Sequence, residues 1–228
     1  MPIVITSETS QIYRTTDLSD ESTFIIEDLY ASGGNKLWID VASSSSGNIM
    51  IAATQQSAGK IWISNDYGGS WSESLGTIKD YKCVASSSNG SVLMAASFSG
   101  GFGSGDIWVS TNAGSTWTQV FTGSESFVGC SMAKSGDVML AADRGWNVGG
   151  TGYIFRSIDG GETFAQSSSS PFSWMAVACD DTCAFAAAIE ISGDSGIWMS
   201  TDYGDTWTLL IDSTIGTWTA VAMSGNGR

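Results

Sequence analysis

One eight-residue pattern occurs four times in this chain, and its spacing constrains the fold more than any other feature of the sequence. The four copies are SNDYGGSW from Ser64, STNAGSTW from Ser110, SIDGGETF from Ser157 and STDYGDTW from Ser200. Their first residues are separated by 46, 47 and 43 positions. A period of this length is typical of an array of similar supersecondary units, each of which buries its apolar faces against its neighbours.

Each copy lies between two segments that have the composition of β-strands. An apolar segment such as IWI from Ile61 precedes it, and a segment such as WTQVF from Trp117 follows it. Two such segments around Asp and Gly predict a β-hairpin. In the turn, we expect the third residue to accept hydrogen bonds from backbone amides and the glycine to adopt a positive φ. The third residues are Asp66, Asn112, Asp159 and Asp202, and we predict a structural role for them.

The repeat continues upstream of the eight-residue pattern. Segments such as WIDVASSSSGNIMIAA from Trp38 and YKCVASSSNGSVLMAA from Tyr81 contain two further strand patterns joined by a short polar turn. The full unit is therefore four antiparallel strands, A to D, as in a β-propeller blade. No long run of residues has the 3.6-residue period that indicates a helix.

The two ends of the sequence predict the number of units. The segment PIVIT matches strand B, and QIYRTTDLSDESTF matches a degenerate strand C, turn and strand D with Thr15 and Asp17 in the turn. The segment WTAVAMSGNGR from Trp218 matches strand A. We therefore predict a single all-β domain, a five-bladed β-propeller closed by a blade shared between the termini, which removes exposed sheet edges. A piece of a larger propeller is the alternative. The predicted blades are 38–75, 81–121, 127–166, 174–211, and 218–228 with 1–30.

The composition argues against several classes of function. The formal net charge is −14 with only nine basic residues, which opposes binding to nucleic acids and to anionic membranes. The chain contains no histidine, which excludes Ser-His-Asp and Cys-His catalysis and histidine-ligated metals. We therefore predict no cofactor, no metal, no nucleic-acid partner and no membrane insertion.

The four cysteines predict one cross-link at most. Cys179 and Cys183 flank a predicted A–B turn, where a disulfide across the turn is geometrically possible. Cys83 and Cys130 lie at non-equivalent positions of neighbouring A strands and are typical of small buried residues. The first residues lack the basic start and apolar core of a signal peptide, so we expect a soluble protein of unassigned compartment.

The four patterns resemble the Asp-box, or BNR, repeat. The wider unit, aromatic-x-x-V-A-x-S-x-x-G, is similar to repeats of sortilin-type receptors and the photosystem II assembly factor, and to propellers of sialidases and xyloglucan-degrading glycosidases. This resemblance implies a β-propeller, but its members include enzymes, receptors and assembly factors, so the fold alone selects no activity.

The sialidase branch of this resemblance implies an arginine triad, a Tyr/Glu pair, an acidic Asp and an F-R-I-P signature. The signature is missing here, and the arginines are Arg14, Arg144, Arg156 and Arg228. Arg14 and Arg156 hold equivalent positions just before the pattern, on the side opposite the usual propeller active site. We therefore expect no sialidase activity. A glycosidase with two carboxylates remains open, and its candidates by loop position are Asp40, Glu125, Asp143 and Glu190.

A ligand is expected on the side of the blades opposite the repeated pattern, where the B–C and D–A loops lie. These loops differ in length, and loops on a rigid scaffold commonly carry binding residues. The candidate ligand-binding residues in the long loops are Phe98, Phe102, Arg144, Trp146 and Tyr153. A second set begins each strand A, either packing between blades or contacting ligand: Trp38, Tyr81, Phe127, Trp174 and Trp218.

Exposed aromatic rings beside polar groups suit sugars, whose apolar faces stack while their hydroxyls form hydrogen bonds. The sequence therefore favours a monomeric, non-catalytic binding propeller that recognises carbohydrate in a lectin-like manner through the B–C/D–A side. The alternative is a protein-interaction or assembly scaffold that binds a protein surface. A glycoside hydrolase is the third hypothesis.

Overall fold

A computed structural model describes residues 3–6, 12–15, 27–29, 37–55, 59–98, 105–146, 151–191, 196–212 and 218–227. Within these ranges the chain forms antiparallel sheets from consecutive strands. The N-terminal sheet has three strands: β1 (Ile3–Thr6), β2 (Ile12–Thr15) and β3 (Glu27–Leu29). A strand's β-branched and aromatic residues favour this extended, half-buried geometry over a helix.

Four further sheets have four strands each, in the order of the chain. Sheet 1 contains β4 (Trp38–Ser43), β5 (Met50–Thr54), β6 (Ile61–Ser64) and β7 (Ser72–Leu75). Sheet 2 contains β8 (Tyr81–Ser86), β9 (Leu93–Ser97), β10 (Gly105–Ser110) and β11 (Thr118–Gly123). Sheet 3 contains β12 (Phe127–Met132), β13 (Met139–Asp143), β14 (Ile154–Ser157) and β15 (Ala165–Gln166). Sheet 4 contains β16 (Trp174–Cys179), β17 (Ala186–Glu190), β18 (Gly196–Ser200) and β19 (Thr208–Asp212).

The core lies between consecutive sheets. The second strands β5, β9 and β13 are buried at every position, which explains their continuous apolar runs. Three mixed clusters join the sheets: Ile51 and Ile61 with Tyr81 and Leu93, Met94 and Ile107 with Phe127 and Met139, and Leu140 and Ile154 with Trp174. Full burial of each such side chain stabilises the fold by about 1.5–3 kcal/mol, so no sheet is stable without its neighbours.

The first strands β4, β8, β12 and β16 contact one another in chain order, and β1 contacts β4. Each of these four strands has a β-bulge directly after its initial aromatic residue. The side chain of the residue that follows the bulge points towards the next sheet. In sheet 1 this residue is Asp40, whose Oδ2 accepts the N–H of Val84 at 2.9 Å. At the equivalent place in sheet 2, the Cys83 and Cys130 side chains are hydrogen-bonded. In sheet 3 the residue is Gly129, where a Cβ would lie 3.0 Å from the Cα of Ala176.

A ladder of backbone hydrogen bonds links the turns that follow the first strands. The N–H groups of Ser45, Ser88 and Lys134 donate to the carbonyl groups of Ser88, Lys134 and Asp181 at 2.7, 2.8 and 2.8 Å. The N–H of Asp181 then donates to the carbonyl of Gly225 at 3.0 Å. Residues 218–227 therefore hold the place in this ladder that a fifth unit would hold.

The fifth blade is the point at which the sequence-based prediction and the structure differ. Residues 218–227 form no strand, and among the described residues they do not pair with β1. Trp218 is 36% exposed, whereas Trp38, its counterpart in sheet 1, is 7% exposed. The described ranges thus contain four four-stranded sheets and one three-stranded sheet. Residues 218–227 do not add a fourth strand to the N-terminal sheet, because they lack the strand pairing that β4 makes with β5.

Candidate functional site

The four repeated turns (64–71, 110–117, 157–164 and 200–207) share one hydrogen-bonding pattern. In the first turn, Ser64 Oγ donates to Oδ1 of Asp66 at 2.8 Å, and the N–H of Gly68 donates to Ser64 Oγ at 2.8 Å. The N–H of Ser70 donates to Oδ1 of Asp66 at 2.8 Å. The equivalent bonds in the other turns measure 2.7–3.0 Å and centre on Asn112, Asp159 and Asp202.

These hydrogen bonds stabilise the ionised carboxylates. The side-chain hydrogen bond from Ser70 lowers the pKa of Asp66 to about 2, and that from Thr163 lowers the pKa of Asp159 to about 2. The residue before the glycine also has positive φ, for example 61° at Tyr67 and 55° at Ala113. Each carboxylate is therefore occupied within its own turn, and the four turns form structural hairpins.

A row of cationic and aromatic side chains lies on the opposite side of sheets 2 and 3; we call Lys82, Phe98, Trp146 and Arg144 the loop-side row. Phe98 directly follows β9, and Trp146 follows β13, so each begins the loop between the second and third strands. The Phe98 and Trp146 ring centroids are 6.1 Å apart at an angle of 60°. Lys82 Nζ lies 5.6 Å from the Phe98 centroid, and Arg144 Cζ lies 5.2 Å from the Trp146 ring.

Backbone hydrogen bonds hold the loop that carries Arg144 and Trp146. Oδ1 of the buried Asp143 accepts the N–H groups of Ser126 at 2.7 Å and Gly145 at 2.9 Å. The N–H of Arg144 donates to the Ser126 carbonyl at 3.0 Å, and Ser173 Oγ donates to the Arg144 carbonyl at 2.9 Å. Trp146 is nonetheless 60% exposed, so a hydrogen-bonded backbone presents an indole that is more than half open to solvent.

The Phe98 end of the row is anchored in a similar way. The N–H of Phe98 donates to the carbonyl of Asp80 at 2.8 Å, and Phe98 forms a β-bridge with Ser126. Lys82 Nζ lies 3.1 Å from Oδ1 of Asp80 and donates to Oε1 of Gln55 at 2.7 Å. Sequence reasoning missed Lys82 because it lies within a strand A, and only the side-chain alternation of that strand could have indicated it.

Of the other loop candidates, Tyr153 is half-buried against the cluster between sheets 2 and 3 and does not join the row. Phe102 lies outside the described residues. The strand-A aromatics require a correction: Trp38, Tyr81, Phe127 and Trp174 are at most 7% exposed. Their rings pack between sheets, so these four side chains serve packing instead of ligand contact.

Three of the four candidate carboxylates accept hydrogen bonds from the backbone of other residues. Asp40 accepts the N–H of Val41 at 2.9 Å in addition to that of Val84, and burial raises its pKa to about 6. Asp143 holds the loop described above, and the buried Glu190 accepts the N–H of Gly196 at 2.8 Å. Each of these three carboxylates therefore stabilises the backbone conformation around it.

Glu125 differs from the other three carboxylates. Its Oε2 is buried without a hydrogen-bond partner among the described residues. Burial raises the pKa of Glu125, and the negative charge of Asp143 raises it further. Burial also raises the pKa of Asp143, so two carboxyl groups with raised pKa values lie near each other beside the loop-side row.

The cysteines divide into a bonded and an unbonded pair. Cys179 and Cys183 form a disulfide with an S–S distance of 2.05 Å, across the turn between β16 and β17. Cys83 and Cys130 are free thiols, and burial raises the pKa of Cys130 well above its usual value. Within the described part of the chain, no three His, Cys, Asp or Glu side chains converge as metal ligands do.

No family model matches this sequence, and no curated protein is detectably similar to it. Similar solved structures nevertheless exist. A crystal structure of a nidogen/laminin complex has a TM-score of 0.66 at 12% identity, covering 98% of this chain and 82% of that one. A GH74 enzyme from Niastella koreensis has a TM-score of 0.62 at 16% identity, covering 90% and 29%. The GH74 xyloglucanase from Xanthomonas campestris has a TM-score of 0.69 at 13% identity, covering 95% and 38%.

At these identities the similarity shows the fold alone, which is all-β and β-propeller-like. The chain spans less than two fifths of either GH74 protein, so their activity is a property of much longer chains. Among the described residues, no helix combines the length and apolar character needed to cross a membrane.

Proposed function

We propose that this chain is a non-catalytic binding propeller that recognises carbohydrate through the loop-side row. One observation carries the proposal: the 60% exposed indole of Trp146 lies against Phe98 on loops fixed by backbone hydrogen bonds. An aromatic face of this kind stacks on the apolar face of a sugar ring, and adjacent polar groups bind the hydroxyls. A fixed backbone lowers the entropy lost on binding.

The test is a glycan array followed by calorimetric titration of any glycan that binds. Removal of the Trp146 ring by Trp146→Ala is expected to lower affinity by at least about tenfold, which is about 1.4 kcal/mol. Tyr203→Ala is the matched control, because Tyr203 is 47% exposed in a repeated turn and Ala113 occupies the equivalent place naturally. An array without any binding glycan would contradict the proposal.

A protein-interaction scaffold is the second candidate, and a different surface favours it. Leu209, Leu210 and Ile211 on β19 are 42%, 62% and 47% exposed. One structurally similar protein occurs in a nidogen/laminin complex. This candidate predicts a stable partner in affinity purification whose binding is lost on Leu210→Asp and is unchanged by Trp146→Ala.

Glycoside hydrolysis is the third candidate, supported by Glu125 and Asp143. That chemistry requires two neighbouring carboxyl groups, of which one keeps its proton as the general acid, and burial raises the pKa of Glu125 in that direction. Turnover of a glycan that Glu125→Gln abolishes, with binding retained, would favour an enzyme over a lectin-like module.

We further propose that the ring closes through five blades, with residues 218–227 beside the N-terminal sheet. The turn ladder that reaches Gly225 and the contact of β1 with β4 support this arrangement. Ser45→Cys combined with Gly225→Cys is expected to form a disulfide if the ladder closes. Ser45→Cys with Ser88→Cys is the control, since those two Oγ atoms are 2.8 Å apart. Cross-linking of the control alone would contradict closure.

A further inference from the structure

The cations of this chain are scarce, and nearly all of those described are neutralised. Nine basic residues face 23 acidic residues in the sequence. The ion pairs are Lys60–Glu73 at 2.6 Å, Lys79–Asp106 at 2.6 Å, Lys82–Asp80 at 3.1 Å, Lys134–Asp181 at 2.6 Å and Arg156–Asp205 at 2.9 Å. Of the six cationic side chains that the structure describes, only Arg144 has no carboxylate within ion-pair distance among the described residues.

The Arg144 guanidinium instead lies over the Trp146 ring, with Cζ 5.2 Å from the ring centroid. This cation–π contact uses the positive charge and does not require the guanidinium N–H groups as hydrogen-bond donors. The preceding carboxylate, Asp143, is not within ion-pair distance of the guanidinium, and its Oδ1 accepts the N–H groups of Ser126 and Gly145. Backbone hydrogen bonds to Ser126 and Ser173 fix the chain on both sides of this residue.

The two ends of the loop-side row are therefore chemically different. At the Phe98 end, Asp80 neutralises Lys82, which also donates to Gln55. At the Trp146 end, no described carboxylate lies within ion-pair distance of the Arg144 guanidinium. A planar guanidinium with two parallel donors matches the oxygen spacing of a carboxylate or sulfate.

Building on the carbohydrate site proposed above, we infer that the loop-side row selects an acidic sugar. The sugar ring stacks on Trp146, and its carboxylate or sulfate group accepts hydrogen bonds from the Arg144 guanidinium. The net charge of −14 favours a short acidic ligand over a long one. At an ionic strength of about 0.15 M the Debye length is about 8 Å, so the local pair persists while a long polyanion is repelled by the rest of the surface.

The test uses three oligosaccharides of the same backbone: one with a single hexuronate residue, its carboxyl-reduced neutral counterpart, and the neutral backbone with a single sulfate. In titrations at about 0.15 M salt, the hexuronate or the sulfate form is expected to bind at least about tenfold more tightly than the neutral form. Preference for the hexuronate identifies a carboxylate as the recognised group, and preference for the sulfated form identifies a sulfate.

Arg144→Gln is expected to remove this preference while changing the affinity for the neutral form by no more than about twofold. Arg156→Gln is the matched control, because Arg156 is paired with Asp205 near a repeated turn, and it should keep the full preference. Thermal melts of both variants establish that they fold.

Equal affinity for the neutral and both acidic forms would overturn the inference and leave the carbohydrate site intact. A preference that survives Arg144→Gln would also overturn it. Binding of none of the three, together with an array that shows no glycan ligand, would instead overturn the carbohydrate site itself.

Discussion

Asp40 provides the sharpest test of how this fold uses its carboxylates. The side chain joins sheets 1 and 2 by accepting the N–H groups of Val41 and Val84, each at 2.9 Å. Burial nevertheless outweighs these two bonds and raises the pKa of Asp40 from 3.8 to about 6. We predict that the stability of Asp40→Asn relative to the parent rises between about pH 4 and about pH 8, although asparagine offers only one acceptor oxygen to the two N–H groups.

The direction of the pH dependence follows from how tightly the folded and unfolded states bind the Asp40 proton. The folded protein holds the Asp40 proton more tightly than the unfolded chain, so this contribution is complete below about pH 4 and is lost as the pH rises through about 6. The difference between 3.8 and about 6 corresponds to roughly 3 kcal/mol, at about 1.4 kcal/mol per pK unit. Neither protonated aspartate nor asparagine carries the buried charge, but asparagine has a single acceptor oxygen, so the variant also carries a hydrogen-bond cost of about 1–3 kcal/mol that does not change with pH.

Urea unfolding followed by tryptophan fluorescence at about pH 4, 6 and 8 measures the effect, because other carboxylates cancel in the difference between variant and parent. Between about pH 4 and 8, the stability of the variant relative to the parent is expected to rise by about 2–3 kcal/mol, following the linkage relation. A difference between variant and parent that is the same at all three pH values would refute the reasoning, because burial would then not have raised the pKa of Asp40. Asp66→Asn is the control, because the lowered pKa of Asp66 contributes stability that is lost only as the pH falls from about 4 through about 2, so its difference from the parent should be nearly the same at all three pH values.

Three further substitutions test the turns and the sheet junctions, each by urea unfolding at neutral pH. Ser157→Ala removes the acceptor of the Gly161 N–H, which lies 2.9 Å away in a buried turn, and should cost about 2–3 kcal/mol; a cost below about 0.5 kcal/mol would show that the turn forms without this bond. Gly129→Ala places a Cβ 3.0 Å from the Cα of Ala176 and should cost about 1–3 kcal/mol by forcing sheets 3 and 4 apart; unchanged stability would mean that the junction is loosely packed. Ala113→Gly relieves the backbone strain of a residue with φ of 55° and should stabilise the protein by up to about 1 kcal/mol. Destabilisation would mean that the greater entropy of glycine in the unfolded chain outweighs the strain that is relieved.

The repeated pattern made the strands and turns predictable because its information is local. A buried serine, an acceptor two residues later and a glycine are sufficient to form the turn at Ser64, and the apolar alternation on either side specifies the hairpin. The four-stranded sheets follow from the regular spacing of these hairpins along the chain. The fifth unit was less predictable, because whether Trp218 is buried depends on contacts between the two ends of the chain.

The candidate site was predictable only in part. The exposed aromatic Trp146 and its neighbour Arg144 stand out in a long loop between two strands. Lys82 does not, because it lies within a first strand, where only the side-chain alternation of that strand could have indicated it. The burial of Trp174 and its counterparts also could not be read from the sequence, since an aromatic residue at a strand start is equally suited to packing and to stacking on a ligand.

The side chain that follows each bulge differs from one junction to the next: a carboxylate at Asp40, a thiol at Cys83, a hydrogen atom at Gly129 and a methyl group at Ala176. The units are therefore similar in outline but not interchangeable, because each first strand is matched to one particular successor. Exchanging sheets 1 and 3 would place a carboxylate against the close approach at Ala176 and leave the N–H of Val84 without its acceptor. The order of the sheets is thus encoded in part at one position per sheet, where each first strand meets its successor, and a chain built from identical copies of one unit would lose that order.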